Sequence, residues 1–300
     1  ERLAARHAER VRRILALDAP TLAVDFFLFA LKATLVFVGS WALIGTVALH
    51  LAGEGLTAAA WSDVVVGGLA QGFMYGLIAL GYSMVYGVLE FINFAHSEIF
   101  VVGAFVGVEV LLTFKALGLL EVLSPFLVLI VVLLVGMLAS GLLAVTVERV
   151  AYRPLRGAPR LIPLISAIGV SFFLQDAVRL VESIWRNAFN LVYPTMETLN
   201  LRFSLTETID VSVKSLVVIV ASLLMLWGLH ALVNRTKIGK AIRAVAEDQA
   251  TASLMGINVN RMISLTFLIG GAMGGAAGVL FGVQYSLVNP YTGFIPGLKA

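Results

Sequence analysis

Apolar residues along this chain come in long uninterrupted runs, each closed by charges or turn-forming residues, with little of the two-residue alternation of a half-buried strand. A helix needs about 20 predominantly apolar residues to cross the hydrocarbon of a bilayer. Runs of that order cover residues 26–49, 64–87, 126–147, 215–233 and 263–288. Two weaker ones complete a count of seven: 99–114, which carries Glu109, and 161–181, which carries Gln175, Asp176 and Arg179. Each of these suits a helix that is broken, tilted or interior to a bundle. The first run is longer than the roughly 7–15 apolar residues of a signal peptide, so it reads as a retained span, with Lys32 snorkelling towards the inner surface. The pattern predicts an all-α integral membrane protein of about seven transmembrane helices.

The connections differ in character. The longest, 182–214, contains Pro194, Asn200 and an alternating stretch over 199–205, and predicts a short strand or surface helix. Residues 1–17 set Leu3, Val11, Ile14 and Leu15 among five arginines, as in a helix lying on an anionic leaflet or a basic topogenic tail. Residues 1–60 thus read as a basic tail plus one span, and 61–300 as the main transmembrane domain. No internal repeat is evident.

Composition agrees with the pattern: 60% of the 300 residues are hydrophobic and 13% charged, too few charges to cover a water-facing sphere. The absence of cysteine excludes disulfides and thiolate metal sites. A net charge of +3 gives no reason to expect nucleic acid; lipid is the expected surrounding. With the N-terminus inside, the inner segments 1–25, 88–98, 148–160 and 234–262 hold fourteen Lys and Arg, against five in the outer ones. That bias satisfies the positive-inside rule.

Several groupings could carry function. Gly270, Gly274, Gly278 and Gly282 recur at every fourth position, with Gly271, Gly275 and three alanines beside them. Such a bare face lets another helix approach closely or lines a narrow solute path. The pairs Gly72/Gly76 and Gly103/Gly107 repeat the device. Residues 91–98, Phe-Ile-Asn-Phe-Ala-His-Ser-Glu, put Asn93, His96 and Glu98 between two apolar runs, at a capped turn or at a break inside a re-entrant helix. Glu109 follows Glu98 by about three helical turns, so both carboxylates share one face. Asp176, Arg179 and Glu182 are spaced for an ion-pair ladder that neutralises the arginine.

Residues 236–256 predict a different object, a shelf of two short helices. Ile238, Ala241, Ile242 and Val245 repeat at helical spacing with Lys237, Lys240 and Arg243 opposite; Asp248 suits the N-cap of a second helix and Gly256 its stop. The shelf has an apolar side able to seat in lipid headgroups or in a cleft on a soluble partner. The sequence contains no GxxxxGK[ST], HExxH or GxSxG motif, and its four histidines are scattered. It carries no catalytic equipment, no metal site and no cofactor site, so any nucleotide-driven transport needs a separate hydrolysing subunit.

Residues 68–96, the basic loop 148–156 (Glu-Arg-Val-Ala-Tyr-Arg-Pro-Leu-Arg) and the segment 236–257 together resemble the branched-chain amino acid ABC importer permeases of the LivH type, from about residue 64 to the end. The resemblance implies the ABC importer permease fold, and a coupling loop in which Lys240, Arg243, Glu247, Asp248, Ala252 and Gly256 face an ATPase subunit. It also implies a translocation path near Gln71, Tyr75, Asn93, His96 and Glu98. The implied partners are a second permease subunit of the LivM type, two ATPase subunits holding ATP and magnesium, and an extracytoplasmic solute-binding protein, at the inner membrane of a prokaryote. Leucine, isoleucine and valine are the implied cargo, with urea or short amides as the related alternative. A passive channel or secondary carrier for a small polar solute is the alternative from a different class. Three departures stand out: Ser97 occupies a position usually held by glycine, the first 60 residues lack a counterpart, and the family pattern continues past 290–297, so the chain is expected to be C-terminally truncated.

Overall fold

The structure, a computed structural model, describes residues 19–299 apart from 54, 56, 160, 195–196 and 207–208. The basic segment 1–17 lies outside the described residues. Contacts divide the chain into two units, Glu1–Ala60 and Trp61–Ala300. The first holds helix α1 (Ala19–Leu51), on which Phe27, Phe37 and Trp41 are all exposed. A helix apolar all round with no core face is what lipid, and not water, accommodates.

The second unit is built from α2 (Ala58–Leu89), α3 (His96–Ala116), α4 (Pro125–Val147), α5 (Leu161–Arg186), α6 (Val213–Arg235), α7 (Lys237–Glu247), α8 (Gln249–Leu254) and α9 (Val259–Tyr285). Among the described residues seven helices, α1 to α6 and α9, are long and apolar enough to cross a membrane. The last differs from its expected bounds. It begins four residues earlier and stops at Tyr285, where Ser286 turns left-handed (φ 58°) and Leu287–Val288 become strand β4. Strand β1 (Leu191–Val192) pairs with β4, antiparallel, and β2 (Arg202–Thr206) with β3 (Ile209–Ser212). The all-α fold holds, and these two small two-stranded pieces lie outside its helices; the second is the short strand expected from the alternation over 199–205.

Helix α9 is the axis of this unit, and its glycines explain why. A methyl at Gly270 would sit 2.9 Å from the Gly81 carbonyl oxygen on α2, one at Gly274 3.4 Å from the His96 ring on α3, and one at Gly278 2.8 Å from the Ala104 amide nitrogen and closer still to the Phe100 carbonyl. The neighbouring stripe faces the opposite helix: Gly275 approaches Ser140 and Gly136 on α4, and Gly271 approaches Ala144. Helices α3 and α4 therefore clasp α9 backbone to backbone, as small residues permit in lipid. The stripe 270–282 is packing surface.

The fourth stripe position, Gly282, meets a side chain. Tyr193, carried on the segment after β1, inserts its ring beside Gly282 and its hydroxyl beside Gly107, and donates to the Ala104 carbonyl at 2.5 Å. Burial drives the Tyr193 phenol pKa far above its usual value. The pair Gly103/Gly107 thus packs as expected. Gly72 and Gly76 do not: a methyl at either meets nothing within 4 Å, because α2 turns that face away from the described helices.

Candidate functional site

Helix α2 ends at Leu89, Glu90 takes a left-handed conformation (φ 58°), and the chain turns back to start α3 at His96. This start lies inside the bundle. The His96 ring packs level with Gly81 and Gly274, about 12 Å along α2 from its end and about 22 Å into α9 at 1.5 Å per residue. Residues 90–95 form a turn between two separate helices, each long and apolar enough to span a membrane, with Asn93 and Ala95 buried in it. Asn93 holds it: its Oδ1 accepts from the Ala95 amide at 3.1 Å and from the Tyr152 hydroxyl at 2.6 Å. His96 stands edge-on to Tyr82, ring centroids 5.2 Å apart. Asn93 Nδ2 is buried without a hydrogen-bond partner among the described residues.

Beside the break, between α2, α3, α5 and the short helix Phe294–Lys299, lies a cavity of about 960 Å³. Glu98, only 2% exposed, is the one charged residue among the described lining residues. Its Oε1 accepts from Ser97 at 3.4 Å and Ser171 at 3.3 Å, while Oε2 is buried without a partner. Ser83, Tyr86 and Gln175 add polar groups; Ile168, Phe172 and Ile295 are apolar wall. Of the path candidates only Glu98 lines this cavity. Gln71 donates to the Tyr75 hydroxyl at 2.8 Å one turn along α2, away from it, and Asn93 and His96 are packed behind it.

A second, almost wholly apolar cavity of about 670 Å³ lies between α3, α4 and α5. Glu109 lines it and pairs with Arg186 through two hydrogen bonds of 2.8 and 2.6 Å. Glu98 and Glu109 do share one face of α3, since both reach α5. The expected ladder forms only in half. Asp176 pairs with Arg179 at 3.3 Å, but Arg179 then stacks over Phe189 and Tyr291 at 5.5 and 5.7 Å, and Glu182 is buried instead at the Glu109 end of the second cavity. Two aromatic faces draw the guanidinium off the helix surface.

The shelf forms as α7 and α8. Thr236 accepts from the Gly239 amide, Asp248 accepts from the amides of Ala250 and Thr251, and Gly256 ends α8 with φ 82°. Hydrogen bonds from the Thr251 hydroxyl and amide and the Ala250 amide hold the Asp248 carboxyl below its ordinary range. Gly239 lies against the carbonyls of Leu232 and Val233, so no larger residue fits the tight step from α6 to α7. Ile242, Val245 and Ala252 are buried, and Lys240, Arg243, Glu247, Asp248 and Gly256 are exposed. Ile238, assigned above to the apolar side, is 45% exposed: the inner face is Gly239, Ile242 and Val245, one position further on. Outward-facing Leu254 and Met255 are 88% and 79% exposed.

Two further ties, one of them from the shelf, are not visible in the sequence. Gln249 Nε2 donates to the Val88 carbonyl at 2.8 Å, joining α8 to the last turn of α2 just before the break. Glu148, wholly buried where α4 passes into a π-turn, Glu148–Tyr152, pairs with Arg156 and accepts from Ser264 on α9 at 2.6 Å, while Arg156 also donates to Asn260 at 2.5 Å. Burial lowers the Arg156 pKa and the Glu148 charge opposes that shift. The only signal in the sequence was a lone carboxylate opening a basic loop. No group of three His, Cys, Asp or Glu comes together among the described residues.

Seven helices able to cross a membrane among the described residues, and in the second unit a glycine-rich axis and a cavity with one buried carboxylate, make this a multi-pass membrane bundle. Residues 64–300 match the family described as the branched-chain amino acid transport system permease component, and the chain belongs to that family. It is 41% identical over 238 residues to the high-affinity branched-chain amino acid transport system permease protein BraD of Pseudomonas aeruginosa, covering 79% of this chain and 75% of that one. It is 38% identical over 239 residues to LivH of Escherichia coli, a permease protein of the same description (78% and 74%), and 28% identical over 232 residues to a probable LivH of Methanocaldococcus jannaschii (77% and 69%). No solved structure matches.

Proposed function

We propose that this chain is one membrane-spanning permease subunit of an ATP-driven importer that carries leucine, isoleucine and valine across the inner membrane. Its partners are a second permease subunit, two ATPase subunits that hold ATP and magnesium, and an extracytoplasmic solute-binding protein. The N-terminus and the shelf face the cytosol, a reading supported by the excess of Lys and Arg in the segments at that end. The carrying observation is the shelf itself. Its inner face is fixed to the bundle, its outer face offers exposed Leu254 and Met255, and Gln249 clips it to the turn that precedes the break. A rigid protrusion of this kind turns closure of a bound ATPase pair into tilting of the helices, a rigid-body route to alternating access. A channel needs no such element. The cargo assignment is supported by the relatives, whose names specify branched-chain amino acid transport.

Uptake of labelled leucine at low external concentration, with and without the intact gene, tests the reading. Excess isoleucine, valine or urea serve as competitors and ATP depletion as control. Gene-dependent, ATP-dependent uptake blocked by isoleucine and valine is expected; uptake that survives ATP depletion overturns it. Glu247→Arg reverses the charge of an exposed shelf residue proposed to meet the ATPase. Reversing a charge that is matched across an interface costs several kcal/mol, and coupled uptake should fall at least about 10-fold at equal protein level.

A further inference from the structure

The cavity beside the break contains a carboxylate whose chemistry is unfinished. Glu98 is 2% exposed, its Oε1 is served by Ser97 and Ser171, and its Oε2 is buried without a donor. No Lys, Arg or His is among the described residues that line the cavity. A buried carboxylate oxygen without a donor costs free energy until one arrives, most of all a cationic one. The walls above it, Ile168, Phe172 and Ile295, are branched or aromatic. A volume of about 960 Å³ lies in the range of small-molecule sites, about 300–1,000 Å³.

We propose that Glu98 is the binding residue for the α-ammonium group of an amino acid passing through this permease, with Ile168, Phe172 and Ile295 receiving its branched side chain. Gln175 and Ser83 line the same cavity and are the amide and hydroxyl donors for the α-carboxylate. The site rests on the importer reading given above, and it makes that reading more specific: a zwitterion with an apolar side chain satisfies both the carboxylate and the wall, whereas uncharged urea leaves the carboxylate without a counter-charge.

The test uses the complete transporter in proteoliposomes, with the solute-binding protein supplied, and reads leucine uptake and ATP hydrolysis together. Glu98→Gln keeps the shape and the serine contacts but removes the charge. Loss of a charge-assisted hydrogen bond should lower maximal uptake at least about 10-fold. The apparent KM, set by capture on the binding protein, should be unchanged, and ATP hydrolysis stimulated by loaded binding protein should stay within about twofold. Glu98→Asp, which restores the charge, should recover most of the uptake. If Glu98→Gln does not assemble, Ser171→Leu, which fills the floor beside the carboxylate, is judged by the same criterion. Uptake by Glu98→Gln within about twofold of the unmodified transporter, or parallel loss of uptake and ATP hydrolysis at equal assembly, overturns the ammonium site. An unmodified transporter that hydrolyses ATP but takes up none of the three amino acids overturns the importer reading instead.

Discussion

Gly278→Ala is the sharpest probe of how the bundle is held together. The added methyl would fall on the Phe100 carbonyl oxygen and 2.8 Å from the Ala104 amide nitrogen, against an ordinary contact of 3.4 Å or more. Both obstacles are backbone, so no rotamer change relieves them. Helix α3 must move away from α9 by about 0.6 Å for the amide alone, and by more for the carbonyl. Overpacking of this kind costs about 1–3 kcal/mol, equivalent to roughly 5- to 150-fold in the folding equilibrium. Titrating the purified chain from mild detergent into SDS, with helicity followed by circular dichroism, should show the midpoint falling for Gly278→Ala. Gly72→Ala is the control. It meets nothing within 4 Å and should leave the midpoint unchanged or raise it, since alanine is favoured over glycine in a helix by about 1 kcal/mol. A Gly278→Ala chain as stable as the original would refute the packing account. Stability intact with uptake lost would show that the stripe lines a solute path.

Glu148→Gln should destabilise the chain in the same titration. Breaking a fully buried pair costs about 3–5 kcal/mol, but the Arg156 side chain is 20% exposed and can reach water, which reduces the expected loss to about 1–3 kcal/mol; a change below about 0.5 kcal/mol would show that Ser264 and Asn260 suffice. For the shelf, the Asp248 carboxyl is depressed in the fold, so its capping contribution is fully present above the unfolded value near 3.9 and is lost as pH falls through the lower folded value. Hydrogen exchange at the Ala250 and Thr251 amides, corrected for the intrinsic rate, should keep constant protection from pH 8 down to about 5 and lose it only in stronger acid. Loss between pH 7 and 5 would mean that another group holds the cap.

The spans and the shelf were legible because their causes are local. Transfer of an apolar run into lipid depends on that run alone, and the caps at Thr236 and Asp248 satisfy amides two or three residues away. Glu98 and Glu109 were legible as sharing a face, but what they meet was not: the partners Ser171 and Arg186 lie 73 and 77 residues away. The same distance hid the Glu148 pair with Ser264 and the Tyr193 plug, which fills a gap left by glycines on two other helices. Gly72 and Gly76 show the converse error, since spacing reports a smooth face without reporting whether a described helix covers it. Arg179 was misassigned to Glu182 because helical spacing cannot show two aromatic rings brought over from Phe189 and Tyr291.

The clip from Gln249 to Val88 has a mechanical consequence. Ala95, the N-cap of the helix that bears Glu98, lies only seven positions beyond Val88. In the proposed importer, a displacement of the shelf would reach the end of α2 through the single side-chain amide of Gln249, beside the segment that leads into α3, while the clasp of α3 and α4 on α9 would be the part that stays in place.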